Sequence, residues 1–211
     1  MPHSRMYAAI EDTTRDCWPP MIDTGIIHTC DFFHPSKNLR TSGKRRREPE
    51  AEFADLFAHA YLERFVRVHP GTTRHRTLFV REVPVHGNGI ADLLVLSWEG
   101  DPACWTRPLD LARADPTMRA FEVKLSDWRS GLMQAHRYRY FSNAAILVVP
   151  KNKLKTVEPH LNLFRTLRVG LWGFENATAT ITNVYTPRPK RQYVAKYGAQ
   201  ALATAIGAAS S

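Results

Sequence analysis

Cysteine is scarce in this chain: three residues, Cys17, Cys30 and Cys104, stand far apart and in odd number. A disulfide framework is therefore excluded as the organising principle, and a reducing cytoplasm is the expected setting. Long apolar runs are missing as well. No stretch approaches the roughly 18 consecutive apolar residues that a membrane helix needs. The opening residues MPHSRMYAAIEDTTRDCW hold no apolar stretch bounded by a small-residue cleavage site, so no secretory signal is expected. Acids are the third scarcity, and a local one. From Trp128 to Ser211 there are twelve Lys and Arg but only two acids, Glu158 and Glu175. Met1 to Asp127 is mixed, with seventeen basic and eighteen acidic residues. The excess of +10 in the second part attracts polyanions, nucleic acid first among them, unless it merely keeps the chain soluble.

What is present suggests one domain between two extensions. Residues 1–47 lack sustained periodicity and carry the run Lys44-Arg45-Arg46-Arg47, so they read as a basic, poorly ordered arm. Cys17, His28, Cys30 and His34 are zinc-type ligands, but their spacing matches no finger pattern and no zinc site is read there. Cys104 reads as an ordinary loop thiol. Residues 48–186 form the expected domain, and 187–211 a basic, Ala-rich tail, read as a peripheral helix or a frayed end.

Within the domain, EPEAEFADLFAHAYLERFVRV has helical apolar spacing, with Pro49 placed for a helix start. TLFVREVPV and GIADLLVLSW read as a hairpin around His86-Gly87-Asn88-Gly89. Residues 99–117 contain three prolines and read as a loop. MRAFEVKL is a third strand, SDWRSGLMQAHRYRYF a helix capped by Ser126 or Asp127, and SNAAILVVP a strand buried on both faces. KNKLKTVEPHLNLFRTLR is helical but interrupted at Pro159, and VGLWGFE and TATITNVYT are two more strands. Strand–helix–strand succession after a hairpin predicts a mixed central sheet flanked by helices, an α/β fold.

Two strands carry acids where acids are expensive. Asp92 lies amid Ile90, Leu93, Leu94, Val95 and Leu96; Glu122 lies between Phe121 and Val123. An acid in an apolar strand needs a partner or a cation. Period-two alternation puts Glu122 and Lys124 on one face, where they form either part of a site or a plain cross-strand ion pair. Two carboxylates and a backbone carbonyl make an all-oxygen site suited to Mg²⁺ or Mn²⁺. A lysine beside it can orient or deprotonate a water and neutralise charge on a phosphate.

Asp92, then Glu122-Val123-Lys124, then a helix containing Gln134 resembles the PD-(D/E)XK nuclease superfamily, also called restriction-endonuclease-like, from about Glu50 to Val184. Ala91 stands where the family often has proline, and 29 residues separate Asp92 from Glu122. The resemblance implies a restriction-endonuclease-like fold and a Mg²⁺- or Mn²⁺-dependent endonuclease. It implies Asp92 and Glu122 as metal ligands and Lys124 as the catalytic lysine. Glu52 is the first-helix acid that joins them, with Glu50 its competitor, and Gln134 is a polar site residue. Tyr138, one turn beyond Gln134, is a lesser candidate for such a site residue; on its residue type it reads, with Trp128, Tyr140 and Phe141, as packing rather than base stacking.

Arg137, Arg139, Lys151 and Lys153 are the expected phosphate contacts, with Arg129 beside them. A solvated helix face is the alternative for the arginines. Glu82, in the same hairpin as Asp92, reads as solvated. The expected partner is DNA, with RNA left open, and no membrane; members of the superfamily often act as homodimers. The rival function is a nucleic-acid-binding module on the same fold without catalysis.

Overall fold

The computed structural model describes residues 49–65, 75–99, 115–190 and 194–209. The arm with its Lys44–Arg47 run, the Cys17/His28/Cys30/His34 set, Cys104 and most of the expected 99–117 loop lie outside the described residues.

Helix α1 (Pro49–Phe65) begins with proline in its first turn, where a missing N–H costs nothing, and Glu50 and Glu52 there complement the helix dipole. Strands β1 (His75–Val85) and β2 (Gly89–Glu99) form an antiparallel hairpin. Its turn needs left-handed backbone, and Gly87 and Gly89 supply it at φ +77 and +94. β3 (Thr117–Val123) pairs antiparallel with β2 and parallel with β4 (Ala144–Pro150). Between β3 and β4 lies α2 (Trp128–Tyr138), capped by Asp127, whose Oδ1 accepts the Ser130 N–H at 3.2 Å. After β4 the chain turns through a 3₁₀ segment, α3 (Leu154–Val157), a second 3₁₀ turn containing Pro159, and α4 (Leu161–Leu167). β5 (Gly170–Glu175) is parallel to β4, and β6 (Thr180–Tyr185) closes the sheet antiparallel to β5. Among the described residues the strands form one mixed sheet in the order β1-β2-β3-β4-β5-β6.

Helices cover both faces. α1 lays Phe53, Phe57 and Tyr61 on Phe121, Trp172 and Phe174; the Tyr61 and Phe121 rings meet at 5.0 Å. Such ring pairs add about 0.5–1.5 kcal/mol each beyond burial. α2 and the broken helical segment pack on Leu147, Val149 and Leu171. The Ala-rich end of the chain is helix α5 (Ala195–Ala209), whose Ala201, Ala205 and Ile206 bury against a cluster with Val80, Leu94 and Ala120. β4 is buried along nearly its whole length, as its continuous apolar run requires. No helix among the described residues is long and apolar enough to cross a membrane.

The β1–β2 hairpin is irregular near its turn. On β1, Leu78 and Val80 share a cluster with Val83 and Val85; on β2, Leu94 and Leu96 share it with Ala91. The alternation of faces therefore slips by one residue in both strands, at the level of Glu82 and Asp92. Glu82 takes φ +51, unusual for a residue with a side chain, and is skipped in the pairing between Arg81↔Leu93 and Val83↔Ala91.

Candidate active site

Asp92 and Glu122 come together because of register. β2 and β3 pair Leu93 with Phe121, so the next pair outward is Asp92 and Glu122. There the ladder gives way to side-chain bonding: the Val123 N–H donates to Asp92 Oδ2 at 2.7 Å. Glu122 is buried and Asp92 half-buried. Burial pushes the Asp92 carboxyl up to about 6, against the opposing pull of the Val123 N–H, Lys124 and Arg81. Burial, and after it the negative charge of Asp92, pushes Glu122 up to about 7. Two carboxyls that resist ionising side by side are what a divalent cation relieves.

Lys124 lies just past the end of β3. Its Nζ donates to Glu50 Oε1 at 2.8 Å and stands 3.1 Å from Glu122 Oε1. Glu50 also accepts the Leu125 N–H, at 3.3 Å. Burial pulls the Lys124 ammonium down, but the hydrogen bond to Glu50 and the charge of Glu122 outweigh it and hold the group above its ordinary value. Lys124 is thus a fixed positive charge rather than a base, which narrows its expected role to orienting and neutralising. Its stem needs room from α2. A Cβ on Gly131 would lie 2.5 Å from Lys124 Cγ and 2.7 Å from Leu147 Cδ1, so only glycine admits this approach.

The first-helix acid at the site is Glu50 rather than Glu52. Glu52 is exposed, in phase with Leu56, His59 and Glu63 on the solvent face of α1. Glu50 is in phase with buried Phe53, Ala54 and Phe57. Among the described residues no group of three or more His, Cys, Asp or Glu side chains is gathered as a metal site. Asp92 and Glu122 thus face each other as two acids without a third, since Glu50 is turned to Lys124.

Tyr138, read from its type as packing, is buried but its hydroxyl belongs to the site. It contacts a Glu122 carboxyl oxygen (Oε2) and donates to the Ile90 carbonyl at 2.5 Å. A phenol has one proton, so both contacts are hydrogen bonds at once only when Glu122 carries a proton of its own. Burial, followed by the charge of Glu122, raises the Tyr138 hydroxyl above its ordinary value, so it stays a donor. Gln134, one turn earlier on the same face of α2, has its Oε1 buried without a hydrogen-bond partner. It lies along the helix between Gly131, which meets Lys124, and Tyr138, which meets Glu122. An orphaned acceptor oxygen there suits a cation or a bound water.

Arg81 is a residue that sequence reading missed. It is buried; its Nε donates to the Asp92 carbonyl at 2.7 Å and its Nη1 to Asp55 Oδ1 of α1 at 2.5 Å. It holds the Asp92 backbone where the irregular pairing at Glu82 leaves the ladder open.

The expected phosphate contacts divide. Arg139 is buried and its Nη1 donates to the Leu167 carbonyl at 2.9 Å, so it ties α2 to α4 and does not serve a surface groove. Arg137 is exposed. Lys151 pairs with Glu175 at 3.1 Å, an exposed pair. Lys153 is exposed and borders a cavity next to Lys124. The chain matches no protein-family model, no curated protein and no solved structure.

Proposed function

We propose that this chain is a metal-dependent nuclease with a restriction-endonuclease-like fold, hydrolysing phosphodiester bonds, with DNA as the leading substrate. The observation that carries the reading is the facing pair Asp92 and Glu122, the latter buried, with the Lys124 ammonium 3.1 Å from Glu122. The donor chemistry suits Mg²⁺ or Mn²⁺: two facing carboxyls with raised proton affinity, both hard-oxygen donors, with the orphaned Gln134 oxygen on the adjoining face of α2. Such an ion, when bound, polarises the phosphate and lowers the proton affinity of a water.

The chain's own residues do the rest. Asp92 and Glu122 would hold the ion, with the Val123 N–H on Asp92 Oδ2 and the Tyr138 hydroxyl against Glu122 Oε2. Glu50 keeps Lys124 protonated and aimed, so its ammonium orients the attacking water and offsets charge on the phosphorane. The second reading, a nucleic-acid-binding module without catalysis, draws on the lack of a third gathered acid among the described residues. A cleavage panel decides: labelled duplex, single-stranded and branched DNA, and RNA, each with Mg²⁺, Mn²⁺ or EDTA. Metal-dependent cutting supports the nuclease. Binding of the panel with no cutting of any member supports the module.

A further inference from the structure

Lys124 borders a second space beyond the carboxylate pair. A cavity of about 190 Å³ opens between the β3–α2 connection and the segment after β4, lined by Lys124, Ser126, Arg129, Lys153, Thr156 and Val157 among others. Its three cations come from separate elements: the end of β3, the first turn of α2 and the 3₁₀ turn after β4. Arg129 is exposed but not loose, for its guanidinium lies 4.5 Å from the centre of the Trp128 ring. That ring is buried, and it stacks on Phe164. Neither Arg129 nor Lys153 has a carboxylate partner among the described residues. One acid, Asp127, also lines the cavity, and it is engaged in capping α2. The lining therefore holds two cations, Arg129 and Lys153, without a carboxylate partner among the described residues, and two hydroxyls, Ser126 and Thr156.

We propose that this cavity is a phosphate subsite. It takes a second phosphate of the strand whose scissile phosphate lies at Asp92, Glu122 and Lys124, with Arg129 and Lys153 as the binding cations and the Ser126 and Thr156 hydroxyls as donors. The mixture suits a multi-oxygen anion: a fork of N–H groups, a point charge and neutral donors converge from three directions. The inference rests on the nuclease reading of the adjoining site and adds direction to it, since the strand runs from the carboxylates past Lys124 towards the 3₁₀ turn after β4. The phosphate is either an internal diester or the end of a strand.

Two measurements test it. First, inorganic phosphate is titrated into the full chain and into an Arg129→Gln/Lys153→Gln variant, each followed by amide NMR. Shifts at Ser126, Trp128, Lys153 and Thr156 in the wild type, with affinity lower by roughly tenfold or more in the variant, support the subsite. No shifts there, or shifts unchanged in the variant, overturn it.

Second, dissociation constants for labelled single strands, 5′-phosphorylated or 5′-hydroxyl, are measured in EDTA against salt. The variant should bind more weakly, and its log–log salt slope should fall by about 1 per lost contact. A defect only with the 5′-phosphate names a strand end as the source, and an equal defect with both names an internal diester. No defect with either overturns the subsite. Cleavage assayed in parallel separates the two claims: phosphate binding in a wild type that cuts nothing keeps the subsite and removes the nuclease.

Discussion

Asp92 and Val123 are joined by a 2.7 Å hydrogen bond from the Val123 N–H to the Asp92 carboxyl, so the acid of β2 closes the open end of β3 beside Glu122. The bond helps keep the Asp92 charge in place but does not cancel its burial. Asp92 and Glu122 sit at about 6 and about 7, above their ordinary values of 3.8 and 4.5. The folded chain therefore holds these protons more tightly than the unfolded chain.

Tighter proton binding in the folded state sets the sign of the pH dependence. The stability these carboxyls contribute is full below about pH 4 and lost as the pH rises through about 6 to 7, at up to about 1.4 kcal/mol per pH unit for each proton. A cation needs both deprotonated. Thermal unfolding with Mg²⁺ against EDTA should show a larger Mg²⁺ stabilisation at pH 8 than at pH 5.5. Equal stabilisation at both would place the ion elsewhere.

Tyr138→Phe removes a hydroxyl that donates to the Ile90 carbonyl and contacts Glu122 Oε2, while leaving the ring packed on Phe141. Stability should fall by about 1–3 kcal/mol, because buried acceptors lose their partner. Cleavage should fall by roughly 10–100-fold, the usual cost of losing a group that orients a ligand. Urea denaturation and rates at saturating Mg²⁺ check both.

Much of this was legible in the residues. The strands along the chain could be read from their apolar runs, and Asp92, Glu122 and Lys124 stood out because charged groups interrupt apolar strands there. The choice between Glu50 and Glu52 was also readable in principle, since helical phase puts Glu50 with Phe53 and Phe57. Leu56 blurred that phase: it counts as apolar in the sequence yet is 42% exposed. Tyr138 packs as its type suggests, against Phe141, but a tyrosine buries its ring and uses its hydroxyl together, so residue type could not show the contact with Glu122. Arg139 looked like surface charge because nothing local signals its carbonyl partner, Leu167, 28 residues away. The slip at Glu82 and Asp92 leaves no trace in composition, and the role of Arg81 depends on it.

Gly131→Ala tests the fit of Lys124. Alanine favours the helix by about 1 kcal/mol, but its Cβ would meet Lys124 Cγ at 2.5 Å and Leu147 Cδ1 at 2.7 Å. Overpacking of this kind costs about 1–3 kcal/mol, so stability should hold or fall slightly. Cleavage should drop further than stability does, since the ammonium is displaced. A variant as active as wild type would show that Lys124 tolerates the shift.

Arg81→Met should destabilise by about 3 kcal/mol, the lower end for breaking a buried pair because Asp55 is 25% exposed. The Asp92 carbonyl loses its donor as well. Adding Asp55→Leu to Arg81→Met should recover part of the stability but not the activity. Full recovery of activity would mean that Arg81 does not position Asp92.

The most direct measurement compares Mg²⁺-dependent cleavage of labelled DNA by wild type, Glu122→Ala and Lys124→Ala, purified alike and matched by circular dichroism, with binding measured alongside. Cutting by the wild type alone is the predicted result, with both variants down about 100–1,000-fold and DNA binding largely retained. Equal cutting by all three, or none by the wild type on any substrate, would contradict the assignment of Asp92, Glu122 and Lys124 as a nuclease site.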